Sequence, residues 1–274
     1  MHRPELSAVR IHPVKSLAAY AVGEAVVEPW GLDGDRRWML VDAGGTAVTQ
    51  RQLARMALLS AVPAPDGGVV LSAPGRPALT VEVPEPGETV GARLHGDRVE
   101  VVEAAAEAHA WLGDHLGVPV RLVHLDAPER RRHIDTGYAR PGEPVGLADG
   151  FPLLLTTDAS LDALNALVAC GDRPGEGPLP MDRFRPNVVV GGTEAWAEDG
   201  WSRIAIGDVP FRVVKPCGRC VITTTDQDTA ERGKEPLRTL ARHRRAGRQL
   251  LFGQNLIPDA RGVIRIGDPV RILG

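Results

Sequence analysis

The residues best suited to chemistry stand in one run, Lys215-Pro216-Cys217-Gly218-Arg219-Cys220-Val221-Ile222-Thr223-Thr224-Thr225-Asp226. Two cysteines separated by two residues have three common uses. A thioredoxin-like redox pair needs its first thiol at a helix N-terminus, where the dipole and free N–H groups lower the thiol pKa. Here Val, Ile and three Thr follow the pair, a β-branched run that predicts a strand over 221–225 and argues against the redox use. A structural zinc site needs four ligands, usually with a second Cys or His pair. Cys170 stands alone on a predicted helix face, where an inert buried thiol is expected, and His243 has no partner at ligand spacing. Zinc is not expected. The third use is a single soft thiolate offered to a thiol-loving metal or cofactor from a loop between two strands, with Arg219 and Lys215 favouring the ionised sulfur. On chemistry alone, that use and a merely structural pair both stand.

A second set of residues suits an anion. Lys15-Ser16, Asp35-Arg36, Thr49, Arg51, Arg185 and Asn187 fall at predicted strand ends or turns, where side chains can converge. Arg and Lys with backbone N–H groups are what a phosphate requires. Pro186 fixes one backbone angle between Arg185 and Asn187 and stiffens their spacing. Taken singly, each also reads as a surface charge flanking a strand.

The elements that must hold these residues are mostly strands. Short apolar or β-branched runs at 8–11, 22–27, 38–41, 69–71, 79–83 and 98–102 are punctuated by Gly, Pro and Asp. Further strands are predicted at 187–190, 203–206, 211–214, 263–266 and 270–273. Helices are predicted over 104–116, with Gly117 as its C-cap, over 160–169 after Asp158, and near 236–245. Residues 171–180, rich in Gly and Pro, read as a loop. The pattern favours a barrel or sandwich-like sheet over a doubly wound fold, with a boundary between about residues 125 and 150.

Composition narrows the classes. The chain has 274 residues, 43% apolar and only 4% aromatic, so aliphatic side chains must fill its core. A formal charge of −3 gives no reason to expect nucleic acid or an acidic membrane surface. The basic clusters Arg130-Arg131-Arg132-His133 and Arg242-His243-Arg244-Arg245 read as solvated faces. Residues Met1 to Glu5 hold His2, Arg3 and Glu5 and open no apolar run of signal-peptide type, and no stretch approaches the ~18 apolar residues of a spanning helix. Three cysteines do not make a secreted disulfide framework. A cytoplasmic protein is expected, with no membrane partner.

The motifs taken together resemble the MOSC family, in particular its two-part members, the bacterial MOSC oxidoreductases and the mitochondrial amidoxime-reducing component. The stretches that carry the resemblance are Ile11-His12-Pro13-Val14-Lys15-Ser16, Asp35-Arg36-Arg37-Trp38, Thr49-Gln50-Arg51-Gln52, Phe184-Arg185-Pro186-Asn187, Cys217-Gly218-Arg219-Cys220 with the threonines after it, Lys234-Glu235-Pro236-Leu237, Phe252-Gly253-Gln254-Asn255 and Gly267-Asp268-Pro269-Val270. They run in order along essentially the whole chain. The resemblance implies a mixed α+β, mostly β fold: an N-terminal β-rich domain (1–125), then a β-barrel MOSC domain (126–274) with a few flanking helices. It implies a pterin-dithiolene molybdenum cofactor between them. By the same likeness Cys220 is the metal ligand and Cys217 is not required as one. Lys15, Ser16 and Arg36 match contacts to the phosphate end, Arg185 and Asn187 contacts to the pterin, and Asp149 a carboxylate near the metal. Gly150-Phe151 departs from the hydroxyl pair that follows this Asp in some relatives.

The activity that follows from the resemblance is reduction of N-hydroxylated substrates (hydroxylamines, amidoximes, N-hydroxylated bases) by oxygen-atom removal. The chain stops at Gly274 without the iron–sulfur domain of some bacterial members, so a separate electron donor of ferredoxin, flavodoxin or cytochrome/reductase type is expected. Asp149 is the expected proton carrier, its pKa raised by burial; an Asx-type turn with Gly150 is the alternative. Two other functions stay open, a sulfur carrier using a persulfide on Cys220 and a cofactor carrier without turnover.

Overall fold

Val188-Val189-Val190 and Leu153-Leu154-Leu155-Thr156-Thr157 are buried at every position. Strands covered on both faces need apolar side chains on both, which is why these runs do not alternate. The two strands, Val188–Gly191 and Leu153–Thr157, pair in parallel, and helix Asp158–Ala169 lies in the crossover between them. Thr157 caps that helix by accepting a hydrogen bond from the Ser160 N–H at 3.1 Å. Ser160, Leu164 and Val168, one turn apart, form its buried face.

The computed structural model describes residues 3–85 and 87–274. Met1 and His2, part of the N-terminal stretch read for a signal peptide, lie outside them. Around the parallel pair runs a nine-stranded sheet. Its order is Tyr20–Val22, Glu5–Ile11, Val188–Gly191, Leu153–Thr157, Gln249–Pro258, Val209–Gly218, Arg203–Ile206 and Val270–Ile272, with Arg245–Ala246 on the side. The first strand of the chain thus belongs to the sheet of its second half. Leu6, Val9, Ile11, Val27 and Leu32 share one core with Leu155, Val190, Phe211 and Leu256.

A second core lies in the first half, built from Val14, Leu17, Trp38, Met56, Leu71, Leu112 and Leu122. A five-stranded sheet flanks it, ordered Val90–Leu94, Asp97–Glu103, Arg121–His124, Trp38–Val41 and Ala47–Val48. Helix Ala106–Leu116 covers it and ends at Gly117, whose φ of 70° is the left-handed C-cap expected there. Residues 12–17 pass directly from the first core to the second, and the functional residues sit on that crossing.

The mostly-β fold with few helices matches the sequence expectation, and three local expectations need correction. Residues 221–225 do not form a strand: Val221–Thr224 is a 3-10 turn with Cys220 at its N-cap. The Thr223 and Thr224 hydroxyls donate back to the Cys220 and Val221 carbonyls at 2.9 and 2.8 Å, an alternative to sheet pairing that threonine carries in its own side chain. Cys170 is exposed, not buried, because it lies at the helix C-cap beyond the last buried turn. Arg132 is no solvated residue: it is 4% exposed and donates to the carbonyls of Gly146 and Ala148 at 2.7 and 2.6 Å.

Candidate functional site

Backbone hydrogen bonds draw three distant loops together. The Lys15 N–H donates to the Trp38 carbonyl, the Arg36 N–H to that of His12, and the Leu147 N–H to that of Arg36, all within 2.9 Å. The 184–187 segment joins them through Asn187, and the cysteine loop joins through the Arg219 Nη2, which donates to the Phe184 carbonyl at 2.6 Å. Phe184 is fully buried against Phe252, ring centroids 4.0 Å apart, so this anchor is rigid.

Between these loops lies a cavity of about 120 Å³ whose lining includes Lys15, Ser16, Arg36, Asp149, Arg185, Asn187 and Cys220. These seven face one space, whereas Asp35, Thr49 and Arg51 of the same anion set do not line it. Asp149, Gly150, Phe151, Cys217, Gly218 and Asn255 also line a wider adjoining cleft of about 620 Å³. Cys220 is half-buried and opens onto the cavity rather than into a dry core.

The backbone is strained here. Ser16, Arg36 and Arg185 have φ of 68°, 46° and 55°. Left-handed conformation costs an L-residue with a side chain about 1–2 kcal/mol, and it persists only where neighbouring contacts enforce it. Its occurrence at three residues around one cavity is a mark of a functional site.

The charges are arranged in two groups. In the first, Arg36 Nη1 donates to Asp35 Oδ2 at 2.6 Å and to Asn187 Oδ1 at 3.1 Å. Burial would raise the Asp35 pKa, but Arg36 and His12 hold it down at about 2. Asn187 is itself nearly used up: its Oδ1 also accepts from the Leu154 N–H and its Nδ2 donates to the Arg10 carbonyl. It orients Arg36 more than it offers groups to a ligand.

The second group surrounds Asp149. Lys15 Nζ lies 2.5 Å from its Oδ1, His95 Nε2 3.1 Å from the same oxygen, and Arg51 Nη2 2.9 Å from its Oδ2. The surrounding protein would push the carboxyl pKa up, yet Lys15, His95 and Arg51 hold it well below the usual carboxylate range. The expected raised pKa is therefore corrected: the Asp149 side chain is 58% exposed, and three cationic or hydrogen-bonding partners outweigh the desolvation by the protein around it. Burial brings Lys15 down to about 8 in spite of Asp149.

Of the two cations expected beside the thiols, Arg219 is in contact with one, and Lys215 packs on Tyr138 instead. Arg219 Nη1 contacts the Cys217 sulfur at 2.9 Å, while Arg51 is the cation whose charge is coupled to Cys220. Arg51 is held there by the 226–232 segment: Arg232 donates to the Gln50 and Arg51 carbonyls, and Gln227 meets Gln50. His95, at the turn between Val90–Leu94 and Asp97–Glu103, and Arg132, which fixes the backbone leading to Asp149, carried no local signal. Their partners lie 54 and 14 to 17 residues away.

The residues present fit an anionic, hydrogen-bonding ligand with a thiol-binding metal. Arg185 is 8% exposed, and its Nη2 is buried without a hydrogen-bond partner. Burial and the like charge of Arg36 depress its pKa, so the fold holds a cation that lacks an anion. A ligand larger than the cavity must extend into the adjoining cleft. Among the described residues no three His, Cys, Asp or Glu side chains converge as a metal cage. A metal here would rest on Cys220 and on ligands that a bound molecule brings.

Comparisons with known proteins cover nearly the whole chain. Residues 3–119 match the MOSC N-terminal beta barrel domain and residues 142–271 the MOSC domain. The chain is 33% identical to the human mitochondrial amidoxime-reducing component 1 over 96% of its own length and 81% of that protein's. It is 34% identical to the molybdenum cofactor sulfurase of Danio rerio over 84% of its length, which is only 29% of the sulfurase. Among solved structures, the YuaD protein of Bacillus subtilis aligns over 98% of this chain and 94% of its own, with a TM-score of 0.45 and 10% identity. No helix is long and apolar enough to cross a membrane among the described residues.

Proposed function

Because the chain belongs to the MOSC family, with its two domains in order, we propose that it binds a molybdenum cofactor at Cys220 and reduces N-hydroxylated compounds by oxygen-atom removal. The observation that carries this reading is the buried, unpartnered Arg185 guanidinium in the same cavity as the Cys220 thiol. The names of the human and fish relatives, an amidoxime-reducing component and a molybdenum cofactor sulfurase, support the cofactor and the substrate class.

The cofactor supplies a metal that accepts oxygen and cycles by two electrons; the chain holds and shields it. Lys15, Ser16 and Arg36 would hold the phosphate end, with Arg36 kept in place by Asp35 and Asn187. Arg185, lining the cavity with its Nη2 unpartnered, would hold the pterin, and Asn187 would contribute chiefly by fixing the loop. Cys220 provides the thiolate, a soft ligand suited to such a metal, and Cys217 is not a ligand. Asp149 stays ionised and orders Lys15, Arg51 and His95 around the cavity mouth instead of carrying protons. His95, hydrogen-bonded to Asp149 through Nε2 and on the cleft wall, helps fix that carboxylate where cavity and cleft meet. Electrons come from a separate donor protein of ferredoxin, flavodoxin or cytochrome/reductase type. We place the protein in the cytoplasm.

The test is elemental analysis of the native protein beside Cys220→Ala and Cys217→Ala, followed by dithionite-driven reduction of a simple hydroxylamine. Molybdenum near one per chain, with activity lost in Cys220→Ala and kept in Cys217→Ala, is the expected result. Cyanide-labile sulfur without molybdenum would replace this reading with sulfur transfer. Bound molybdenum without turnover would leave a carrier.

A further inference from the structure

We propose that the cleft beside the cavity selects substrates carrying an anionic group, carboxylate or phosphate, with Lys215 as its counter-cation and Tyr138 and Phe151 as its wall. The proposal rests on the function above, since it assigns the part of the substrate remote from the N–O bond.

Lys215 and Cys217 line the same cleft from one strand, Val209–Gly218. The Lys215 ammonium lies 4.3 Å from the centroid of the Tyr138 ring and 5.9 Å from that of Phe151. The two rings meet edge to face, 5.7 Å apart at 78°. Aromatic faces attract an ammonium without neutralising it, so the charge is placed yet still available to an anion.

The other cations of this cleft are already engaged, and of its carboxylates only Asp135 has no cationic partner among the described residues. Arg132 pairs with Asp97 at 2.8 Å, and Asp149 with Lys15, Arg51 and His95. Asp135 accepts the Gly137 N–H of its own turn, and His133 bonds the Glu129 carbonyl. Among the described residues Lys215 Nζ has neither a salt bridge nor a hydrogen bond.

The wall is built to stay in place. Tyr138 rides on a loop whose stem is closed by the His133–Pro144 bridge and by the Ile134 N–H donating to the Glu143 carbonyl at 2.9 Å. Below the tip, Arg140 and Arg212 both pair with Glu143 and Asp259. Phe151, packed edge to face on Tyr138, makes this side of the cleft apolar. A flat, rigid substrate fits against the rings with its anion on Lys215 and its N-hydroxylated end toward Cys220.

Two compound pairs test this on the molybdenum-loaded protein with dithionite as reductant. The first pair is benzamidoxime and its 4-carboxylate, with the 4-phosphonate as an added arm to separate the two anions. The second is benzamide and 4-carboxybenzamide, which carry no N–O bond to reduce and are followed by calorimetry. Wild-type protein should favour the charged member of each pair by about tenfold, through KM and Kd and not kcat. Lys215→Met should abolish that preference while leaving the neutral compounds unchanged, and Lys215→Arg should keep most of it. Equal affinity for both members in wild type, or a preference surviving in Lys215→Met, overturns the assignment. Failure to reduce either amidoxime overturns the proposed function instead, and the calorimetry still decides the role of Lys215.

Discussion

Lys15 and Asp149, 134 residues apart in sequence, meet at 2.5 Å across the junction of the two cores. Each holds the other in its charged form, and the pair sets how the cavity responds to pH.

Lys15 has its pKa lowered from 10.5 to about 8, so it loses its charge in the fold before it would in the unfolded chain. The unfolded state then binds more protons between pH 8 and 10.5, and the contribution of Lys15 to stability rises over that window. Anion binding runs the other way. The affinity of the cofactor-free protein for pyrophosphate should fall as pH rises through about 8, and Lys15→Gln should remove that step. Calorimetric titrations from pH 6.5 to 9.5 measure both. Asp149, with its pKa held below 3.8, adds stability above that value and loses it as acid protonates the carboxylate.

Asn187 is a strut. Its Oδ1 serves both Arg36 Nη1 and the Leu154 N–H, so Asn187→Leu strands buried donors at two places. A loss of about 2 kcal/mol is expected, read as a lower urea midpoint with unchanged slope. Asn187→Asp keeps the acceptor and should recover much of it.

Arg132 ties the 146–149 backbone to Asp97. Arg132→Met leaves the Gly146 and Ala148 carbonyls without their donor, in a segment that must aim Asp149. Destabilisation of about 3 kcal/mol is expected in guanidinium unfolding, together with weaker pyrophosphate binding. A neutral result in both would show that the loop holds itself.

Gly253 has φ of +81°, and a Cβ there would stand 2.6 Å from the Leu155 carbonyl oxygen across the paired strand. Gly253→Ala combines left-handed strain with a backbone clash and should cost at least about 2 kcal/mol. The Phe252-Gly253-Gln254-Asn255 motif therefore contains its glycine for a close approach between strands. Thermal unfolding of the variant is the direct measurement.

Much of this protein was determined by local sequence. The continuous run 188–190 specifies a strand, Gly117 specifies a helix end, and the order of short motifs specifies the family; the equally apolar run 153–157 was not among the strands expected. Those motifs also picked out Lys15, Ser16, Arg36, Asp149, Arg185, Asn187 and Cys220, which the fold brings to one cavity. Only the tertiary structure decided what depends on distant partners. The β-branched run after Cys220 turns because its hydroxyls find carbonyls three residues back while Ile222 and Thr223 are buried. The first strand joins the sheet of the second half because Leu6, Val9 and Ile11 complete that core. Asp149 is ionised because Lys15, Arg51 and His95 arrive from three other loops. Charge state and burial are sums over neighbours in space, and no spacing along the chain reports them.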